Sequence, residues 1–516
     1  MIVRRTRRLA IALSLLSIAA FTQGQTPPAK PAGISPKAAA AVRAFTAATM
    51  KQWHIAGAAV GIVKDGRIVF LEGFGVRDVA RGLPVTPRTR FILGSTTKAF
   101  TTAALGLLVS EKKLDWDKPA ASYLPEFGLQ DEYASAHTTV RDLAAHRTGL
   151  PRHDLVWVNS PMDLPEMVRS LRFLEPSREL RAEFQYNNLM YITLGLLVEK
   201  VSGMPWDAFV RDRIFKPLGM TRSGCTIPEY VAAEEYAFSY RWEKDAWAVR
   251  PLPVRTDKLM YGARASGSVN TTAEDMCAWA IDHLQADQAE PRSVLPAGAL
   301  RQTHTPHVPT PWNPNKNAEV LTPSYGMGWM IDVYRNNWRV HHGGSTLDFN
   351  SSVMLFPGAR TGVVLLINAS SPANAILANG LSDLALGLSP IDWNKRAVEQ
   401  MEARRASEPA EKRVEGTRPA HGLGDYEGEY VHPAYGLMSV TAKDGGLEMS
   451  YKGFVSPLEH WHYETFRLSA SDLEGEKLTF RTDADGKVSG IAGALEPAVK
   501  DIVFERRQEP REPGLP

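Results

Sequence analysis

The chain has 516 residues, 44% of them hydrophobic and 22% charged, which is enough apolar material for a large core and excludes a disordered protein. Removing the four arginines among the first eight residues turns a formal charge of +2 into −2, so no basic surface for nucleic acid is expected. Two cysteines, Cys225 and Cys277, are too few for a disulfide scaffold or a cysteine-built zinc site; they either pair or remain two buried thiols.

The chain opens with a basic head, Met1 to Arg8, and an apolar run, Leu9 to Phe21, too short to span a bilayer comfortably. Residues 1–24 read as a signal peptide, which predicts a periplasmic or secreted bacterial protein without a stable membrane span after cleavage. Ala58 to Val63 and Arg67 to Phe70 flank Lys64-Asp65-Gly66 as two strands of a hairpin. From Ser95 onward Ala99, Phe100, Ala103, Ala104, Leu107 and Leu108 recur at helical spacing, the buried face of a helix. A second helix runs through Leu194, Leu197, Val198 and Val201 and closes at Gly203. Strand character returns at Gly328–Val333, Trp338–His342, Ser352–Phe356 and Gly362–Ile367, which can join the N-terminal hairpin in one sheet.

The segment 399–421 has the charged, proline-bearing composition of a linker. Beyond it, Leu447 to Tyr451 and Leu478 to Phe480 alternate apolar and polar residues between turn signals such as Asp444-Gly445-Gly446 and Asp485-Gly486, a small antiparallel barrel or sandwich. The expected class is α+β: an antiparallel sheet flanked by helices with a mostly helical subdomain over 36–398, then an all-β domain over 422–508.

Ser95-Thr96-Thr97-Lys98 places a hydroxyl and an amine three residues apart, on one face of a helix start. A lysine at its ordinary pKa of ~10.4 is a poor base, so burial and positive potential must depress it. Ser110-Glu111-Lys112-Lys113 repeats the spacing at the end of the same helix, where the dipole disfavours an oxyanion. Tyr186-Asn187-Asn188 offers a phenol that, with a depressed pKa, could exchange protons with Ser95, and an amide in Asn188 for substrate. Tyr334-Arg335-Asn336 shares that spacing but reads as a hairpin end. Val340-His341-His342-Gly343-Gly344-Ser345 is a strand end at which only one of the two histidines can face the nucleophile; His342 is preferred, and its glycines admit a substrate backbone.

Ser-x-x-Lys, Tyr-x-Asn and His-x-Gly, in this order, resemble the serine β-lactamase and penicillin-binding protein superfamily, in its class C-like branch. Thr139 to Leu143, His146 to Pro151, Pro217 to Met220 and Tyr325 to Trp329 are similar to family segments, and the likeness covers about Ala40 to Leu386. The tail from Tyr426 to Arg506 resembles a small β-barrel appended to many such hydrolases.

The resemblance implies Ser95 as nucleophile, Lys98 and Tyr186 sharing acid and base duty, Asn188 and Gly344 at the substrate, and the amides of Ser95 and Ser345 as oxyanion hole. It implies no metal and no cofactor. His342 stands where lactamases carry lysine, and Asp348-Phe349 where the family has Gly-Phe, so weak or absent β-lactamase activity is expected. The expected partner is a small molecule or short peptide, hydrolysed as an amide by a peptidase, with D-residues or cell-wall peptides included. A carboxylesterase and a non-turnover penicillin sensor are the alternatives.

Overall fold

The computed structural model describes residues 33–250, 262–286, 293–313, 318–407 and 411–508. The signal-peptide reading falls on residues 1–24, outside the described residues. No described helix is long and apolar enough to cross a membrane.

Asp65 and Gly66 both take positive φ, 50° and 72°, and turn β1 (Gly57–Lys64) back into β2 (Arg67–Asp78), which leads to the short β3 (Leu83–Pro84). Two minor pairs lie apart from the main sheet: β4 (Phe91–Ile92) with β7 (Asn270–Thr271), and the hairpin of β5 (Tyr240–Glu243) and β6 (Ala246–Val249). The sheet is completed by β8 (Val308–Pro309), β9 (Val320–Tyr325), β10 (Met330–Tyr334), β11 (Asn337–Thr346), β12 (Phe349–Phe356) and β13 (Thr361–Ile367). The nine strands run antiparallel in the order β3-β2-β1-β13-β12-β11-β10-β9-β8, so the N-terminal hairpin joins the late strands through β1 and β13.

One face of the sheet packs against the helices Pro36–Gln52 and Ala373–Leu386 around Val60, Leu365 and Leu377. The other face receives the helix Ala273–Ala286 and the larger helical region. Because β1, β12 and β13 are covered on both sides, their residues are buried almost without a break rather than alternately, and β12 buries the polar Asn350, Ser351 and Ser352 among them. Cys225 and Cys277 are both buried free thiols, which decides against a disulfide.

The helix Thr97–Ser110 is buried all round from Thr97 to Leu108 rather than on one face. Small residues make this possible: it packs between the helices Asn188–Ser202 and Ala297–Thr303, with Gly106 set against Ala299 and the Thr101 hydroxyl donating to Ala265 O at 2.6 Å. The Asn188–Ser202 helix is capped by the Asn187 side chain and ends at Gly203, φ 72°.

The helix Trp393–Ser407 corrects the linker reading at its start, since the chain is helical through Ser407. Glu402, Arg404 and Arg405 are charged because that helix is solvated, a composition that helix surfaces and linkers share. After the turn Leu423–Tyr426, eight strands from β14 (Gly428–His432) to β21 (Ile502–Arg506) close into an antiparallel barrel filled by Tyr430, Met449, Phe480 and Phe504.

Candidate active site

Leu93 donates its backbone N–H to Val269 O at 2.8 Å, and Gly94 then turns with φ 59° into a single 3-10 turn, Gly94–Thr96, at the head of the Thr97–Ser110 helix. Ser351 of β12 fixes this turn, its hydroxyl donating to Leu93 O at 2.6 Å and sharing a 2.7 Å hydrogen bond with Thr96. Ser95 is the one half-exposed residue between Phe91 and Phe100.

Lys98 follows one turn later and is fully buried. Its Nζ lies 3.1 Å from Ser95 Oγ, 2.7 Å from Asn188 Oδ1 and 3.0 Å from Ser266 O. Burial, reinforced by the Arg152 guanidinium and opposed by Asp154, holds the Lys98 ammonium well below the usual lysine range. A neutral amine has two N–H groups and one lone pair. The carbonyl oxygens of Asn188 and Ser266 can only accept, so they take both N–H groups and leave the lone pair to the Ser95 hydroxyl.

The Tyr186 phenol lies near enough to Ser95 to interact with it, and Lys98 Nζ sits 4.9 Å from the centre of its ring. Burial pushes its phenol up, with Ser95 opposing, which corrects the expectation of a depressed pKa. Tyr186 therefore keeps its proton and can donate it, whereas Lys98 is a group whose charged form burial disfavours. Asn188 has partners within the protein as well. Its Oδ1 accepts from Lys98 and its Nδ2 donates to Asp154 Oδ1 at 2.9 Å, so one lone pair and one N–H remain for a substrate group.

β11 supplies the third wall. β10 pairs with it only as far as His341, so from His342 to Thr346 one edge of the strand has no partner strand among the described residues. Gly344 lies so close to the Ser95 turn that an added Cβ would stand 1.8 Å from Leu93 O, and one added to Gly94 would stand 2.7 Å from Ser345 N. This contact brings the backbones of Ser95 and Ser345 side by side.

His342 enters the pocket, sharing 3.1 Å with the Tyr325 hydroxyl at Nε2 and donating from Nδ1 to Gly343 O at 2.6 Å. Burial and the nearby Lys98 push it down to about 3, so it is neutral. His341, on the opposite side of the strand, meets Asp332 at 3.1 Å, and Asp332 is also held by Arg339.

The competing motifs are structural. The Ser110 hydroxyl donates to Leu107 O at 2.7 Å in the last turn of its helix. Tyr334 donates to Asp383 at 2.8 Å, and Arg335 and Asn336 form a turn at φ 46° and 66°.

Several residues at the site carried no spacing signal of their own. His146, fully buried at φ 57°, packs its ring 4.4 Å from Tyr186 and 4.9 Å from Tyr325, and accepts from Asn187 N–H at 3.1 Å. Arg152 lies over the Tyr186 ring at 5.2 Å and reaches Asp154 at 2.7 Å. His146 and Tyr325 belong to segments legible only as family likeness, and Arg152 follows one of them. Among the described residues no group of three or more His, Cys, Asp and Glu side chains could hold a metal ion.

Residues 42–386 match the Beta-lactamase family and residues 412–506 a domain of unknown function, DUF3471. The chain is 30% identical to the unguisins hydrolase ungD' of Aspergillus campestris, with 76% of each chain covered. It is 29% identical to the unguisins hydrolase ungD of Aspergillus violaceofuscus over 77% of this chain and 76% of that one. With Protein flp of Staphylococcus aureus the identity is 26%, over 62% of this chain and 61% of that one. The octameric penicillin-binding protein homologue from Pyrococcus abyssi shares the fold, with a TM-score of 0.62 and 22% identity over 90% of this chain and 99% of that one. A sheet and helical region of this architecture, with a family match over residues 42–386, place the chain in the β-lactamase family of serine hydrolases.

Proposed function

We propose that the protein is an exported amidase or peptidase that works through an acyl-enzyme on Ser95, acting on short peptides, D-configured ones included. The observation that carries the mechanism is the environment of Lys98: buried, held by two carbonyl acceptors, and 3.1 Å from the Ser95 hydroxyl. Lys98 takes the hydroxyl proton as Oγ forms a bond to the substrate carbonyl carbon. The oxyanion is received by the N–H groups of Ser95 and Ser345. Tyr186 protonates the leaving amine and is reprotonated from Lys98, and water then attacks the ester under the same base. Gly344 and the open edge of β11 admit an extended substrate backbone beside the nucleophile.

The neutral His342 provides no fixed positive charge for a substrate carboxylate, which favours uncharged substrates over penicillins. The relatives named unguisins hydrolases support hydrolysis as the reaction. Export rests on the basic and apolar leader.

A fluorophosphonate probe tests this reading: it labels Ser95 in the wild type, and Ser95→Ala abolishes both label and hydrolysis. Equal labelling of Ser95→Ala would sink the assignment. The same site attacks esters more easily than amides, so turnover of D-aminoacyl amides against short acyl esters measures how far the enzyme is a peptidase.

A further inference from the structure

The stretch Arg152–Val156 is held from the barrel side by four side chains. His153 is fully buried in the left-handed region, φ 44° and ψ 41°. Its N–H donates to Glu496 Oε2 at 2.8 Å. Its Nε2 lies 3.0 Å from Glu175 O, which can only accept, so Nε2 carries the ring proton and Nδ1 accepts from the Tyr435 hydroxyl at 2.8 Å. Lys452 Nζ donates to Leu155 O and Val156 O at 2.6 and 2.8 Å, and the Tyr451 hydroxyl donates to Leu155 O at 3.2 Å. Tyr435, Tyr451, Lys452 and Glu496 all belong to the C-terminal barrel domain, whereas the stretch they hold belongs to the catalytic domain.

The same stretch carries two charges to the catalytic groups. Asp154 accepts from Asn188 Nδ2 at 2.9 Å, and Asn188 in turn accepts from Lys98. Arg152 lies over the Tyr186 ring and is tied to Asp154. A contiguous series of contacts thus runs from the barrel through His153 to Arg152 and Asp154, and from these to Tyr186, Asn188 and Lys98.

We infer that the barrel is a positioning part of the active site: by gripping His153 in its left-handed turn it sets Arg152 and Asp154 against the groups that activate Ser95. The inference rests on the acyl-transfer reading above. A left-handed turn at a non-glycine residue relaxes when its surroundings stop enforcing it, and the two charges move with it.

The charged and titratable groups facing Lys98 are Arg152, Asp154, His146 and His342, together with the phenols of Tyr186 and Tyr191. Of the two mobile charges Arg152 has the larger influence and depresses Lys98, so losing both lets Lys98 hold its proton to higher pH.

The test is the rate of Ser95 phosphonylation by a fluorophosphonate between about pH 5 and 10 in the full chain, with thermal unfolding followed alongside. Tyr435→Phe combined with Lys452→Met is expected to slow labelling about tenfold or more at neutral pH, within what small displacements of catalytic groups cost. It is also expected to move the acidic limb to higher pH. Arg152→Gln, with every barrel contact in place, moves the limb in the same direction. Should the double variant fail to fold, Glu496→Gln is read the same way, because a carboxamide has one acceptor oxygen where Glu496 uses two, toward His153 and Ala498.

A folded variant that labels at the wild-type rate with an unmoved limb overturns the inference. So does a loss that only tracks the unfolded fraction. Wild-type protein left unlabelled at Ser95 would overturn the acyl-transfer reading itself, a result distinct from either.

Discussion

Lys98 Nζ lies 3.1 Å from Ser95 Oγ but only 2.7 Å from Asn188 Oδ1, so the amine is anchored more closely by the amide than by the hydroxyl. Asn188 fixes where the lone pair points. Asn188→Ala is therefore expected to lower kcat by about 10²-fold, the cost of a catalytic group misplaced by roughly an ångström, with KM changed less. Steady-state kinetics on a neutral amide or ester checks it, and an unchanged kcat would remove Asn188 from this role.

Lys98 is held in a site where its charge is disfavoured. Lys98→Met fills similar volume without a buried amine, so the variant should be at least as thermally stable as the wild type while losing about 10²–10⁴-fold in activity. Thermal unfolding and turnover on the same preparation separate the two effects. A marked loss of stability would mean that the amine is structural.

Gly344 has no room for a side chain, with Leu93 O at 1.8 Å from an added Cβ and Ser351 Oγ at 2.7 Å. Gly344→Ala must move β11 away from the Ser95 turn. The expected result is a loss of labelling and turnover of about 10²-fold or more in protein that still folds. Ser110→Ala, at the other Ser-x-x-Lys, should change stability by less than about 0.5 kcal/mol and leave activity intact.

Acid stability follows from the histidines. Burial pushes His342 down to about 3 and His432 down to about 4, from ordinary values near ~6.5. The unfolded chain takes up these protons first as pH falls, so their contribution to stability is complete above about pH 6.5 and is lost progressively below it. Unfolding midpoints should decline steadily from about pH 6.5 to 4. His432 Nδ1 accepts from the N–H groups of Ala434 and Tyr435, so His432→Asn, which keeps an acceptor but does not titrate, should flatten part of that slope. An equal slope in the variant would remove His432 from the account.

Asp142 is buried and accepts from Arg147, Arg181 and Thr139. Burial pushes its carboxyl up, but the Arg181 and Thr139 hydrogen bonds and the Arg147 charge bring it below the usual carboxylate range. Asp142→Ala removes the acceptor shared by Thr139, Arg147 and Arg181; both guanidiniums are partly solvated and keep a backbone acceptor, so the expected cost is about 1–3 kcal/mol in denaturant unfolding.

Ser-x-x-Lys, Tyr-x-Asn and His-x-Gly could be read from the chain because a helix start, a helix cap and a strand end each impose short fixed spacings on their residues. The strand pairs could be read because a turn such as Asp65-Gly66 declares itself locally. Helical charges at 402–405 imitated a linker, since both are solvated. Two matters were decided only by tertiary packing. Burial fixed the protonation states, raising Tyr186 where a lowered phenol was expected. Long-range contacts brought in His146, Arg152 and Asp154, and brought barrel residues more than 280 positions further along the chain onto the His153 turn. A sequence pattern records which groups lie within a few residues of one another, whereas desolvation and Coulomb interaction depend on distance in space, which the fold alone sets.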